Sequence, residues 1–112
     1  MPVWKSLPVC DLPLLVLACW RIVEVTDGSH HFVGWNVSYR EGRVSRSIQE
    51  FDPAQRIGTT GSGRIYQLSG PPGWNSDGEY VLQQWLDINK MAEVKDVSAE
   101  YWSRIQESGV AA

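Results

Sequence analysis

From Cys19 to Thr26 the chain is rich in apolar and β-branched residues, CWRIVEVT, the pattern of a strand, and the run stops at Asp27-Gly28, a dipeptide that favours tight hairpin turns. A two-residue turn at that point pairs Val23 with Phe32, Ile22 with Val33 and Trp20 with Trp35. In that register Trp20, Ile22, Val33, Trp35 and Val37 share one face, and Val23, Val25 and Phe32 share the other. Both faces are apolar. Such a sheet must be covered on both sides, or curl so that one face turns inward while the other takes a helix.

A second turn is expected at Arg40-Glu41-Gly42, leading into a strand from Arg43 to about Phe51. Val44 and Ile48 have the spacing of one face, which by parity leaves Arg46 as an inward charge. Asp52-Pro53 ends that strand, because proline cannot donate to a ladder and restricts the residue before it. A Thr-Gly loop follows, then a strand from Arg64 to Ser69, until Gly70-Pro71-Pro72-Gly73 stops regular structure. Ser76 and Glu79 have a capping-box spacing, and Val81, Trp85, Ile88 and Ala92, with Leu82 and Leu86 beside them, predict an amphipathic helix over Asp77 to Met91. A shorter helix starts at Asp96 or Ser98 and carries Tyr101, Trp102 and Ile105, with Glu100 and Arg104 spaced to pair.

These elements predict an α+β fold in a single domain, 1–112. An extended arm spans 1–14, and 17–69 form a strongly bent antiparallel sheet of four or five strands that approaches a partial barrel. A Pro/Gly turn over 70–75 leads to a helical part over 76–107, where the C-terminal amphipathic helix and the short final helix pack on the sheet; 108–112 fray.

Six Trp, four Tyr and two Phe in 112 residues supply enough large apolar surface to offset the entropy of ordering one core. A formal charge of -3 argues against a generic polyanion binder. The charge is uneven, however. Residues 39–75 hold Arg40, Arg43, Arg46, Arg56 and Arg64 against Glu41, Glu50 and Asp52, whereas 76–112 hold seven acids against three bases. Any phosphate-facing surface is therefore expected on the sheet. Cys10 and Cys19 make no disulfide framework, so free thiols and a reducing compartment are expected. Val16-Leu17-Ala18-Cys19 has the look of a lipoprotein cleavage site, but Pro8, Asp11 and Pro13 interrupt the apolar segment an export signal needs. No run reaches the length of a membrane span, and no membrane partner is expected.

Little in the chain has the spacing of reactive chemistry. His30 and His31 are adjacent, so on a strand they point to opposite faces, an ordinary hairpin pair with His31 beside Glu24. No nucleophile elbow is present, and no catalytic residue, metal ligand or cofactor is nominated. The loop Gly58 to Gly63 has the composition of an anion nest, with Arg56 and Arg64 at its margins, or of a plain hairpin. Arg43, Arg46 and Arg64, near Trp35, Tyr39 and Tyr66, suit a surface where guanidinium groups and rings take phosphates and bases. Pairing with Glu41, Glu50 and Asp52 is the competing reading. Trp4 and Trp102 are expected to pin loose segments, and Trp74 to anchor a partner.

At Gly42-Arg43-Val44-Ser45, Phe51-Asp52-Pro53, Ser62-Gly63-Arg64-Ile65-Tyr66 and Leu68-Ser69-Gly70-Pro71-Pro72-Gly73 the chain resembles small uncharacterised bacterial proteins carried on plasmids and other mobile genetic elements. The resemblance covers the middle of the chain and the helix after it. It implies a cytoplasmic bacterial protein that acts by binding, and it supplies no catalytic residue. The function expected first is non-enzymatic binding, through a protein partner or self-association. The runner-up is a nucleic-acid or phosphate-ligand binder using Arg43, Arg46, Arg56 and Arg64, and third is an enzyme whose residues converge only in three dimensions.

Overall fold

A computed structural model of the protein describes residues 14–91 and 94–111, so most of the expected arm, with Trp4, Leu7, Val9 and Cys10, lies outside the described residues. Along the chain come β1 (Leu14–Val25), β2 (His30–Asn36), β3 (Glu41–Asp52), β4 (Ile57–Thr60), β5 (Ile65–Leu68), α1 (Ser76–Ile88), β6 (Val94–Asp96) and α2 (Ser98–Ala111). The fold is α+β, as the periodicities predict. Leu14, placed in the arm by its neighbouring prolines, instead opens β1.

The first hairpin forms where Asp27-Gly28 predicts it, with a different turn. Val25 N–H donates to Ser29 O at 3.0 Å and Gly28 N–H to Val25 O at 2.8 Å, which closes a loop of Thr26, Asp27 and Gly28, with Gly28 at φ 87°. Adding one residue to the loop moves the register by one. Val23 faces His31, Ile22 faces Phe32, Arg21 faces Val33, and Trp35 lies opposite Ala18, not Trp20. Because side chains alternate, Phe32 and Val33 exchange the faces expected of them.

β1 itself carries a bulge between Ala18 and Arg21, with Cys19 at φ 48°. The extra residue resets the alternation, so Leu15 and Leu17 before it and Trp20 and Ile22 after it line one core. The first part of β1 also offers its second edge to β5, where Leu14 to Leu17 run parallel to Ile65 to Leu68. The sheet is therefore mixed rather than purely antiparallel. Strands β1 to β5 bond in a ring, β1-β2-β3-β4-β5-β1, and β6 adds to the far end of β1, giving six strands and a partial-barrel-like curl. The four-residue β4 and three-residue β6 are too short to show a period.

Each apolar face takes a helix. Leu15, Leu17, Trp20, Ile22, Phe32, Tyr66 and Leu68 pack with Val97, Tyr101 and Ile105 on the α2 side. Val23, Val25 and Val33 pack with Leu82 and Leu86 of α1. Helix α1 is capped by Asn75, whose side chain accepts from Gly78 N–H at 2.8 Å, not by Ser76. Its buried stripe is Gly78, Leu82 and Leu86, which leaves Ile88, expected to face the sheet, 79% exposed. The helix ends earlier than its apolar period, because Lys90 turns left-handed at φ 56° and Met91 N–H bonds back to Leu86 O at 2.9 Å.

Helix α2 starts on a polar clasp. Asp96 Oδ1 accepts from Ser98 N–H at 2.8 Å, and Ser98 Oγ accepts from Ile22 N–H at 2.9 Å. Arg21 joins the clasp to α1, with Nη1 2.7 Å from Asp96 and Nε 2.7 Å from Glu79. Arg104, spaced to pair with Glu100, lays its guanidinium over Phe51 and Tyr101, 5.6 and 5.3 Å from the ring centres. Burial favours the neutral acid at Asp96, but the bonds from Ser98 and the Arg21 charge outweigh it and hold the pKa below the ordinary 3.8. A carboxylate lowered on folding adds stability above its unfolded pKa, and that stability disappears as pH falls through the folded value. Asp96→Asn should thus lower stability at pH 7 by at most about 1 kcal/mol, since the pair is partly solvated. The gap to wild type should close below about pH 4. Urea midpoints at pH 7 and pH 3 measure it, and a gap of equal size at both would show that the charge contributes nothing.

Candidate functional site

The site begins with a second irregularity, in β3. Between the pairs Val33–Val44 and His31–Ser47 that strand holds one residue more than β2. Ser45 turns inward, 2% exposed, accepting from Phe32 N–H at 2.9 Å and donating to Arg46 O at 2.6 Å. Arg46 turns out to solvent. The bulge thus removes the inward charge that simple alternation places there.

Beside the bulge lies an open cleft of about 530 Å³. The β1–β2 turn contributes Asp27 and Ser29, β2 contributes His31, and β3 contributes Val44, Ser45, Arg46 and Ser47. Gly61 of the β4–β5 hairpin and Trp85, Asn89 and Met91 at the end of α1 complete the walls. His31 is 5% exposed, and its ring lies 4.7 Å from that of Trp85, tilted by 56°. Its Nδ1 is 2.9 Å from Ser45 O, and since a carbonyl only accepts, Nδ1 carries a proton. Its Nε2 is 2.8 Å from Ser29 Oγ, which donates to Asp27 Oδ1 at 2.6 Å. The Ser29 hydroxyl, with Ser29 N–H at 2.9 Å, holds the Asp27 carboxyl below its ordinary pKa. Asp27, Ser29 and His31 are thus tied to one another and to the backbone. Arg46 has no ion pair among the described residues.

His30 projects to the opposite face, as adjacency on a strand requires, with Nδ1 2.7 Å from Tyr101 OH and Nε2 3.2 Å from Glu24. It is His30, not His31, that stands beside Glu24, another consequence of the one-residue register change. Among the described residues no three His, Cys, Asp or Glu side chains gather as a metal site. Cys19 is a free, exposed thiol.

The arginines chosen from sequence do not share one solvent face. Arg43 donates from Nε to Tyr66 OH at 2.9 Å and from Nη1 to Glu41 at 3.2 Å, so this pair is brought together. Tyr66 is 2% and Arg64 3% exposed, and both belong to the interior. Arg56 lies over Trp102 at 5.7 Å. Amides of the Gly58 to Gly63 loop are spent on the hairpin, Gly61 N–H on Ser47 O at 3.0 Å and Gly63 N–H on Thr60 O at 2.8 Å, which leaves no nest there. Tyr39 and Trp74 are exposed as expected, Trp74 at 65%. The segment before Trp74 is fastened by Trp20, whose indole N–H donates to Gly70 O at 2.9 Å while its carbonyl accepts from Gly73 N–H at 2.8 Å. Trp102 meets Trp20 edge-on at 6.3 Å and pins α2.

His31 and Trp85 as partners were missed from sequence, and nothing in the linear pattern joins them. The one trace of the bulge is Arg46, a charge at the inward parity position between Val44 and Ile48.

Fold and cleft together define a class: a small α+β domain with a ring-bonded mixed sheet, a helix on each face, and an open cleft at a bulge. Comparison of the chain with protein-family models, curated proteins and solved structures gives no match. Among the described residues no helix is long and apolar enough to cross a membrane.

Proposed function

We propose that this protein acts by binding, not catalysis, in the cytoplasm of a bacterium that carries it on accessory DNA. Its partner is another protein or a second copy of itself. The observation that carries this reading is the exposure of Trp74, Tyr80 and Ile88, at 65, 64 and 79%. Tyr80 and Ile88 are spaced to share the face of α1 turned away from Leu82 and Leu86, and Trp74 stands just before that helix. Large apolar side chains of this kind contribute about 1.5–3 kcal/mol each when buried, and Trp and Tyr are the usual interface anchors. The polar groups of the cleft support the same reading, because Ser29 is engaged with Asp27 and His31 Nδ1 with the Ser45 carbonyl.

Photo-crosslinking tests it. A benzophenone amino acid at Tyr80 should give a discrete adduct, with a partner or as a dimer, in the bacterial host. The same group at exposed Gln49 should give none. Equal labelling from both positions, or none from either, would refute the reading. The runner-up, a phosphate or nucleic-acid binder, keeps one specific support: of Arg43, Arg46, Arg56 and Arg64, only Arg46 is exposed.

A further inference from the structure

We propose that the cleft beside the β3 bulge binds a small organic anion whose charged group is attached to a flat ring. The proposal rests on the Arg46 part of the runner-up reading and does not depend on the outer face of α1. A cleft of about 530 Å³ is the size of a small-molecule site and far larger than a single inorganic ion needs.

The ligand class follows from which groups are free. Two features bordering the cleft are negative. One is the Asp27 carboxylate, whose Oδ1 alone takes the bonds from Ser29, at 2.6 and 2.9 Å. The other is the last carbonyls of α1, where those of Trp85, Leu86 and Asp87 are bonded by Asn89, Met91 and Lys90. Arg46 is the positive group, exposed and without an ion pair among the described residues. Its guanidinium fork matches a carboxylate or phosphate. Trp85 is half-buried, its ring held by the tilted His31 ring, with Val44 and Met91 in the same apolar cluster. Those groups make a wall for a ring. His31 is a fixed part of that wall, since both of its nitrogens face partners.

The test is an NMR titration of the ¹⁵N-labelled chain with four probes: adenosine 5′-monophosphate, adenosine, inorganic phosphate and indole-3-acetate. At least one of the two ring-bearing anions should bind saturably at millimolar concentration or below, moving the Trp85 indole N–H and the amides of Arg46, Ser47 and Gly61. Comparing those two shows whether the anionic group is a phosphate or a carboxylate. Adenosine and inorganic phosphate should each bind about tenfold more weakly or worse, the loss of one charge-assisted contact or of the ring. Arg46→Gln should weaken the bound anion by about tenfold and leave adenosine and the thermal midpoint unchanged, because Arg46 is exposed and supports no other group. Equal binding of adenosine and its monophosphate, an Arg46→Gln variant of undiminished affinity, shifts confined to residues outside the cleft, or no saturation by either anion would each overturn the proposal. Loss of the Tyr80 adducts would leave it standing.

Discussion

Gly42→Ala is expected to destabilise the protein by about 3 kcal/mol or more, the upper range for forcing an atom into a packed site. A Cβ at Gly42 would fall inside the carbonyl group of Asp77 and 2.6 Å from Gly78 N, both main-chain atoms of the first turn of α1. Main chain held in a helix cannot swing aside as a side-chain tip does. The layer beneath is equally tight. A Cβ on Gly78 would meet Gly34 O at 3.1 Å, and one on Gly34 would meet Ala18 O at 3.0 Å and Trp20 Cα at 3.1 Å. Three glycines thus let α1 lie directly on the backbones of β2 and β3, with β1 close behind. Raising α1 to admit a methyl group pulls Leu82 and Leu86 from their core and Glu79 from Arg21. Gly61→Ala is the control, since its Cβ would meet nothing nearer than Ser47 Oγ at 3.7 Å. It should cost less than about 1 kcal/mol. Urea denaturation of the two variants decides the matter; similar midpoints would mean that the glycine contact does not position the helix.

Trp20→Ala should cost about 3–5 kcal/mol, as truncation of a buried aromatic ring does. Trp20 is 0% exposed, stacks edge-on with Trp102 of α2, and donates to Gly70 O. It therefore joins the α2 core to the turn that delivers the chain to α1. Trp20→Phe separates the two roles, keeping most of the burial while removing the N–H, and should cost about 1–2 kcal/mol. Amide exchange at Gly73, whose N–H bonds to Trp20 O, reports the turn directly. Faster exchange there in both variants is expected before global unfolding. A Trp20→Ala variant within about 1 kcal/mol of wild type would remove this residue from the centre of the fold.

Legibility from sequence depended on how local each signal was. Asp27-Gly28 marks a hairpin by chemistry confined to two residues, and the hairpin is there. Its register depends on whether the loop holds two residues or three, and that choice exchanged Phe32 with Val33 and His30 with His31. The bulges at Cys19 and Ser45–Arg46 have no stronger mark than a break in alternation, yet one keeps Leu17 and Trp20 in the same core and the other turns Arg46 outward. In the candidate site, Arg46 was recognisable as one of a set of strand arginines, but at an inward position that the bulge overturned. Its neighbours were not recognisable, because the cleft is made from the β1–β2 turn, β3, the β4–β5 hairpin and the end of α1.

By itself the sequence determined an α+β domain with a sheet apolar on both sides, a turn at Asp27-Gly28, a stop at Asp52-Pro53 and an amphipathic helix before Met91. Each of these follows from the period of a single strand or helix, or from the backbone limits of glycine and proline. Tertiary structure alone decided the parallel seating of β5 on β1, the addition of β6, the burial of Arg64 and Tyr66, and the meeting of His31, Trp85 and Arg46 around one cleft. Those outcomes depend on which backbone edges and cavities remain after long-range packing, and no local pattern of residues encodes what is left over.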